Sequence, residues 1–344
     1  MRRARALAGL SVAFVLLATA CGTTEDSSDD STEAGTTSDP TSDGDGGPGG
    51  GETAGGPITV TDARGVEVTL DEPAVRVAAT EWNAVENLVS LGVMPVGVSD
   101  IQGYDNWVSS APLDDTVTDI GTRGEPSMDT LATLDVDLVV VTDSLIEGAI
   151  EQVEATTPVV VIPGGDVQDN IGQMFANLDL IAELTGTQDR AQELRDEFDA
   201  KVEEGAEAVE AAGATGDQVA FADGWIDAGN VSVRPFADGS LVSDVFAEIG
   251  LENPWGLEGD PAYGLAQADV EGLTALPADV RFWYMANSAD GGDPFADGLA
   301  GNAIWEALPF VQAGNVVRFP DSLWQFGGPT SMMQYVDAAV DALG

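Results

Sequence analysis

From residue 58 onward the chain alternates short apolar runs with segments of helical periodicity. ITVTDARGVEVTL (58–70) places apolar and polar positions alternately on either side of an Ala-Arg-Gly turn, the pattern of a paired hairpin. VRVAAT (75–80) reads as a short strand. WNAVENLVSLG (82–92) has helical spacing with a glycine stop, and VMPVGVS (93–99) is a second strand. DLVVV (137–141) and TPVVVIP (157–163) continue the series. Ile171, Met174, Phe175, Leu178 and Ile181 then mark a helix that ends the first set of elements. Alternating strands and helices of this kind predict a mostly parallel sheet with helices on both faces.

A long helix from Asp189 to about Ala212 follows. Its apolar stripe of Ala191, Leu194, Phe198, Val202 and Val209 is narrow and its other faces are charged, as suits a helix lying across two bodies. The strand-helix pattern then restarts, with QVAFADG (218–224), NVSVRPF (230–236), LVSDVFAEIGLEN (241–253), NVVRF (315–319) and a closing helix PTSMMQYVDAAVDAL (329–343). The restart contains an internal repeat. GEPSMDTLATLDVDLVVVTDS (124–144) aligns with QADVEGLTALPADVRFWYMANS (267–288) at an offset of 142 residues, the spacing from Asp129 to Glu271. Leu131 then matches Leu273, Leu134 matches Leu276 and Asp137 matches Asp279. The fold class expected is α/β: two lobes, each with a mostly parallel central sheet flanked by helices, joined by one long α-helix, with a ligand cleft between them.

The first 57 residues carry a different pattern. MRRAR followed by LAGLSVAFVLLATA is a charged start and an apolar run too short to span a membrane, and LATAC resembles a bacterial lipobox. Residues 1–20 are therefore expected to be a lipoprotein signal peptide, and Cys21, the chain's single cysteine, the lipidation site. Residues 21–57 are acidic, rich in Gly, Ser and Thr, and free of aromatic residues, the composition of a disordered tether. The 287 residues from Ile58 to Gly344 exceed one comfortable core. They divide into a first lobe (58–186), the bridging helix (187–213) and a second lobe (214–344). The localisation implied is extracytoplasmic, anchored by lipid to the outer face of the cell membrane.

Charge and composition narrow the chemistry. With 12 basic residues against 60 acidic ones, and no histidine, the chain lacks the basic surface that nucleic acid requires. An acidic surface of this kind suits a saline habitat. Without histidine, and without cysteine beyond Cys21, imidazole and thiolate metal ligands and Ser-His or Cys-His nucleophiles are absent. No GxxxxGK[ST] phosphate loop is present. Binding, not catalysis, is the expectation: no enzyme, no cofactor and no metal-ligating residue.

Three stretches, TEWNAVENLVSLGVMPVGVSD (80–100), DIGTRGEPSMDTLATLDVDLVVV (119–141) and PDSLWQFGGPTSMMQYVDAAVDAL (320–343), together resemble the iron–siderophore substrate-binding proteins of ABC importers, a group that also takes cobalamin and haem. The resemblance runs in order through residues 58–344. It implies a monomeric binding protein that captures a ferric siderophore and delivers it to an ABC permease dimer. In that group a surface carboxylate on each lobe meets arginines of the permease; the matching positions are Asp129 and Glu271. This chain has Asp where the group usually has Glu at the first position, so Glu125 is a further candidate. Ser127 and Asp269 can cap the two helices, which would put Asp129 and Glu271 in first turns, where an anion is favoured. The plainer reading is that both acids merely stabilise helix starts.

Ligands of parallel-sheet lobes sit at the carboxyl ends of the strands. Those ends nominate Glu81, Trp82, Asp143, Ser144, Asp223 to Trp225 and Asn287, and neighbouring loops add Tyr104, Trp107, Arg123, Arg234 and Trp324. Trp283 and Trp305 read as core, and Trp255 fits either class. Screening confines the repulsion of an anionic chelate to about 10 Å at 0.1 M salt, so local cations would decide its capture. Arg123 and Arg234, from opposite lobes, are the candidates to grip chelator oxygens, with Arg318 a third; internal salt bridges are the competing reading for each. Citrate, hydroxamate and catecholate chelates all remain open, as do cobalamin and haem in the same fold. A secreted carboxylate-based hydrolase would need two facing acids, one with a raised pKa. An acidic surface adhesin would present a flat face instead of a cleft.

Overall fold

The computed structural model describes residues 56–143 and 147–344. The proposed signal peptide, Cys21, the tether up to residue 55 and Ser144 lie outside them. An antiparallel hairpin of β1 (Ile58–Thr61) and β2 (Glu67–Leu70) leads into the first lobe, where Asp62 closes the turn by accepting from the Arg64 and Val66 N–H groups. The first-lobe sheet contains β3 (Val77–Ala79), β4 (Gly97–Val98), β5 (Thr118–Asp119), β8 (Leu138–Thr142) and β9 (Val159–Ile162), in the spatial order β5-β4-β3-β8-β9, all parallel. Between them lie α1 (Trp82–Ser90), α2 (Ile101–Trp107), a small hairpin of β6 (Gly121–Thr122) and β7 (Glu125–Pro126), α3 (Met128–Leu131) and α4 (Glu147–Glu154). Every residue of β8 and β9 is buried, which is why both strands are near-continuous valine runs rather than alternating ones.

After α5 (Asn170–Thr185), the 24-residue α6 (Gln188–Ala211) leads to the second lobe. Its sheet has the order β11-β10-β12-β13, formed by β10 (Val219–Asp227), β11 (Asn230–Pro235), β12 (Arg281–Tyr284) and β13 (Val316–Arg318); only β11 is antiparallel to its neighbour. α7 (Leu241–Glu248), α8 (Ala303–Ala307), α9 (Pro309–Ala313) and α10 (Pro329–Leu343) complete it.

α6 is held by both lobes through different chemistry. Phe198 meets Phe175 of α5 edge to face at 5.3 Å. Gly205 lets α10 and α7 approach: a Cβ there would sit 2.5 Å from Val336 and 2.9 Å from Ile249. Gly205 thus occupies a position in the stripe that the apolar pattern alone left blank. One apolar core runs from β3 and α1 through α5 and α6 to β10, α7 and α10, with a separate cluster on the outer face of each sheet.

Segment 321–331 crosses from the second lobe back onto the first. Ser109 N–H donates to the Ser322 carbonyl (3.1 Å), and the Ser322 hydroxyl donates to the Asn106 carbonyl (2.8 Å). At the start of α10, Glu86 of α1 is fully buried and accepts from the Thr330 hydroxyl (2.6 Å), the Ser331 N–H (2.8 Å) and the Ser331 hydroxyl (2.7 Å). Burial pushes its carboxyl above the usual range, and those donors pull the other way. Replacing Glu86 with Ala strands three buried donors and leaves a void, so Glu86→Ala is expected to lower unfolding stability by about 3 kcal/mol, with Gln costing much less. Chemical denaturation of the three proteins measures it.

A second pH-responsive group lies where α7 faces the start of α5. Burial pushes the Asp244 carboxyl up from the usual 3.8 to about 6, and Asp169, Asp238 and Glu248 add to the rise against a hydrogen bond from Gly239. A raised carboxyl stabilises the fold fully below its unfolded pKa, and that contribution is lost as pH rises through the folded one. Asp244→Asn should therefore melt above the parent protein at pH 7, with the gap closing by pH 4. Thermal unfolding of both chains across that range gives the comparison.

Candidate functional site

Where the strands of the two sheets end, a cleft of about 450 Å³ opens between the lobes. Glu81, Trp82 and Asn83 enter it from the end of β3 and the start of α1, Thr142 from β8, Arg123 from the β6–β7 turn and Trp107 from the end of α2. The second lobe supplies Arg234 from β11, Tyr263 and Leu265, Asp290, and the run Trp324, Gln325 and Phe326 from the crossing segment.

The walls are aromatic and mutually packed. Trp324 contacts Trp82 at 4.9 Å, Phe326 at 5.2 Å and Trp107 at 6.0 Å, each edge to face, and Tyr263 meets Phe326 at 5.4 Å. Trp82 is fixed from behind: its indole donates to the Ser99 carbonyl (3.3 Å), and a Cβ at Gly103 would lie 2.5 Å from its ring. Burial raises the Tyr263 phenol, and the Asp143 and Glu81 carboxylates raise it further, so it stays a neutral donor at ordinary pH.

Two arginines bracket this box, each already paired. Arg123 donates from Nε (2.9 Å) and Nη2 (2.6 Å) to Glu81, and its guanidinium stacks 4.2 Å over Trp82. Arg234 donates from Nε to Asp223 (2.8 Å) and from Nη2 to the other oxygen of the same carboxylate; it lies 5.3 Å from the Phe326 ring. Asp223 is buried and also accepts from Gln325 Nε2 (2.9 Å). Burial raises its carboxyl although Arg234 draws it down. Asp290 is exposed and holds no basic side chain among the described residues; it accepts from the Trp107 indole across the cleft (2.9 Å). In each arginine Nη1 takes no part in these pairs and remains a donor for neutral oxygens. The Trp324 indole nitrogen and Gln325 Oε1 are buried without a partner.

Of the sequence candidates, Trp82, Trp107, Arg123, Arg234, Trp324 and Glu81 come together here. Others do not. Tyr104 faces the core because IQGYDNW winds into α2, capped by Asp100; it is wholly buried and its hydroxyl donates to the Ala111 carbonyl (2.6 Å). Asn287 is spent on a lobe-to-lobe bond to the Asn106 carbonyl (2.7 Å). Trp225 does not line the cleft: it stands 47 % exposed on the β10–β11 hairpin, 5.9 Å from Arg234. Arg318 is tied to Asp293 and Asp321 away from the cleft. Tyr263, Gln325, Phe326, Asn83 and Asp290 were missed. Tyr263 and Phe326 carried the same signal as the tryptophans, a large ring in a loop.

Asp129 is exposed on α3, whose start is capped by Ser127 (3.3 Å from the Thr130 N–H). The matching element of the second lobe is only a 3-10 turn, Gly272–Ala275, with Glu271 just before it and Asp269 accepting from the Gly272 N–H (3.0 Å). Neither element is long enough for a substantial dipole, so the acids are not first-turn residues of true helices at both positions.

The architecture is that of a two-lobed binding protein with a site in the cleft between its lobes. The chain belongs to the periplasmic binding protein family, which it matches over residues 77–323; the family is one of substrate-binding proteins and not of enzymes. It is 28% identical over 276 residues to the iron(3+)-hydroxamate-binding protein FhuD of Escherichia coli K12, covering 78% of this chain and 87% of that one. It is 22% identical over 287 residues to the probable siderophore-binding lipoprotein YfiY of Bacillus subtilis 168, covering 81% and 85%. The solved structure of FhuD from Vibrio cholerae with Fe3+–Desferal bound superimposes with a TM-score of 0.69 at 25% identity, covering 78% of this chain and 97% of that one.

Asp223 is buried and Arg234 partly exposed, so removing the arginine alone leaves a desolvated carboxylate and costs more than removing both. Arg234→Met is expected to lose about 3 kcal/mol of stability, and Arg234→Met with Asp223→Leu to regain only part of it, because Gln325 Nε2 then loses its acceptor. Urea unfolding of the parent, the two single variants and the double variant completes the cycle.

Proposed function

We propose that this protein is an extracytoplasmic substrate-binding protein that captures a ferric siderophore in the inter-lobe cleft and delivers it to an ABC permease. On this reading Cys21 carries the lipid anchor, residues 21–57 are its tether, and the folded part acts as a monomer. Asp129 and Glu271, with Glu125 beside the first, meet arginines of the permease dimer; all three are exposed, and none holds a basic side chain among the described residues. The iron is cargo held inside its organic chelator, and the protein binds the outside of the complex.

The observation that carries the reading is the aromatic box bracketed by arginines, and its charge balance specifies the chelate further. Two guanidinium groups face three carboxylates, Glu81, Asp223 and Asp290, so the cleft offers no surplus positive charge to a polyanion. It does offer aromatic faces, the Tyr263 hydroxyl and free Nη1 donors, which suit the carbonyl and N–O oxygens of a ferric tris-hydroxamate core that carries no net charge. The relatedness to hydroxamate-binding FhuD supports the same choice. The arginines thus act as donors to the oxygens of an uncharged core rather than as counter-ions for an anionic ligand.

Tryptophan fluorescence titration tests this, because Trp82, Trp107 and Trp324 line the cleft. Ferrioxamine B is expected to quench strongly, and ferric citrate and a ferric tris-catecholate weakly. Arg123→Ala should weaken ferrioxamine binding by about tenfold or more. Quenching by none of the iron chelates, with cobalamin or haem binding instead, would overturn the assignment.

A further inference from the structure

Beside Glu271 lies a second cavity, about 600 Å³, walled on one side by residues 254–257 and on the other by the repeat turn 267–276. Its apolar surface comes from Pro254, Trp255, Leu257, Ala268, Ala275 and Leu276. Both walls are fastened to the lobe beneath. The Trp255 indole donates to the Phe221 carbonyl (2.9 Å) and its N–H to Asn253 Oδ1 (3.0 Å), while Ala268 exchanges two backbone hydrogen bonds with Val233 of β11 (2.9 and 3.0 Å). The groove is therefore preformed and needs no ordering before a partner can use it. Leu257 is 41 % exposed, one of five large apolar side chains left exposed among the described residues. Asp269 lines the groove, and Glu271, exposed, lies in the chain between the lining residues Asp269 and Gly272.

A partly apolar trough with one carboxylate in its wall and another beside it, neither paired with a basic side chain among the described residues, is complementary to a segment that carries both an apolar side chain and a cation. An acidic partner is repelled, and a second copy of this chain would bring another net charge of −48. We propose that this groove is the second-lobe socket for the permease: the permease segment whose arginine pairs with Glu271 also inserts an adjoining apolar side chain between Leu257 and Leu276. This rests on the docking role of Glu271. Apolar burial in the socket supplies residence time, and the two carboxylates supply register.

The test uses proteoliposomes carrying the cell's own siderophore permease and its ATPase subunits, titrated with the full lipid-anchored chain loaded with ferrioxamine B. Leu257→Asp and Ala275→Trp, which charge and fill the groove, are each expected to raise the concentration needed for half-maximal ATPase stimulation by about tenfold. Ferrioxamine affinity and melting temperature should be unchanged; Leu257→Asp, at an exposed position, keeps the test valid should Ala275→Trp not fold. Parent-like stimulation by Leu257→Asp, while Glu271→Lys abolishes it, would overturn the socket and leave the docking role intact. Parent-like stimulation by Glu271→Lys would remove the docking role and the socket with it. A dimer of the binding protein that Leu257→Asp dissolves would identify a second copy as the occupant and overturn the proposal.

Discussion

The relative placement of the two lobes depends on a carboxylate with no access to water. Glu86 belongs to the first lobe and caps the beginning of α10 in the second, with three donors converging on it inside the core. Trp324, Gln325 and Phe326 occupy the residues immediately before that helix, so the anchorage that fixes α10 also fixes the floor of the cleft. Buried carboxylates are costly unless their lone pairs are filled, and a mispositioned α10 would leave both the acid and the Ser331 N–H unsatisfied. The long helix α6 adds a second constraint, packed edge to face against Phe175 on one side and tightly at Gly205 against Val336 and Ile249 on the other.

This constraint carries over to the chemistry of the cleft. With the floor fixed, Arg123 and Arg234 are each held by a carboxylate and an aromatic ring at once. In a chain with five times as many acids as bases, an unpaired arginine in the cleft would have been drawn to any surface carboxylate within reach. Pairing each one locally, at Glu81 and Asp223, stops that wandering and leaves its Nη1 group outside the pair. The cost is that neither arginine retains much positive potential. A site assembled this way distinguishes ligands by shape and hydrogen-bond acceptors more than by charge.

Much of this was legible in the amino-acid pattern and some was not, for physical reasons that differ by residue. The valine runs of β8 and β9 could only be two-sided buried strands, and the repeat of Leu131 and Leu273 marked one unit used in each lobe. Trp82 and Trp107, at helix ends, and Trp324, in a loop, line the cleft, in keeping with the expectation that large rings at such places are expensive unless packed or bound. Tyr104 has the same appearance in sequence, but a seven-residue helix interrupted by Gly103 escapes a periodicity test, and that helix turns the ring inward. Asn287 was misplaced because nothing local to it reveals that Asn106, 181 residues away, offers a carbonyl. Glu86 looked like one polar residue on an amphipathic helix; its burial is decided by Thr330 and Ser331, 244 and 245 residues further along. The partners of Arg123 and Arg234 were invisible for a related reason: among 60 acids, spacing alone cannot single out Glu81 or Asp223.

The same excess of acids separates two kinds of carboxylate by environment. Glu86 and Asp223 are withdrawn from water and Glu81 stands in the cleft wall; all three spend lone pairs on internal donors, where they order the structure. Asp129, Asp269 and Glu271 stay in solvent, held by short turns that fix their backbones while leaving their oxygens unclaimed by any basic side chain among the described residues. Desolvating an acid of the second kind is favourable only when a cation arrives with the surface that buries it. On a uniformly acidic surface most carboxylates lack such a surface beside them, and it is the apolar groove next to Glu271 that distinguishes this acid from its many neighbours. A basic partner is attracted by the whole molecule, yet it is retained only where charge and apolar surface adjoin.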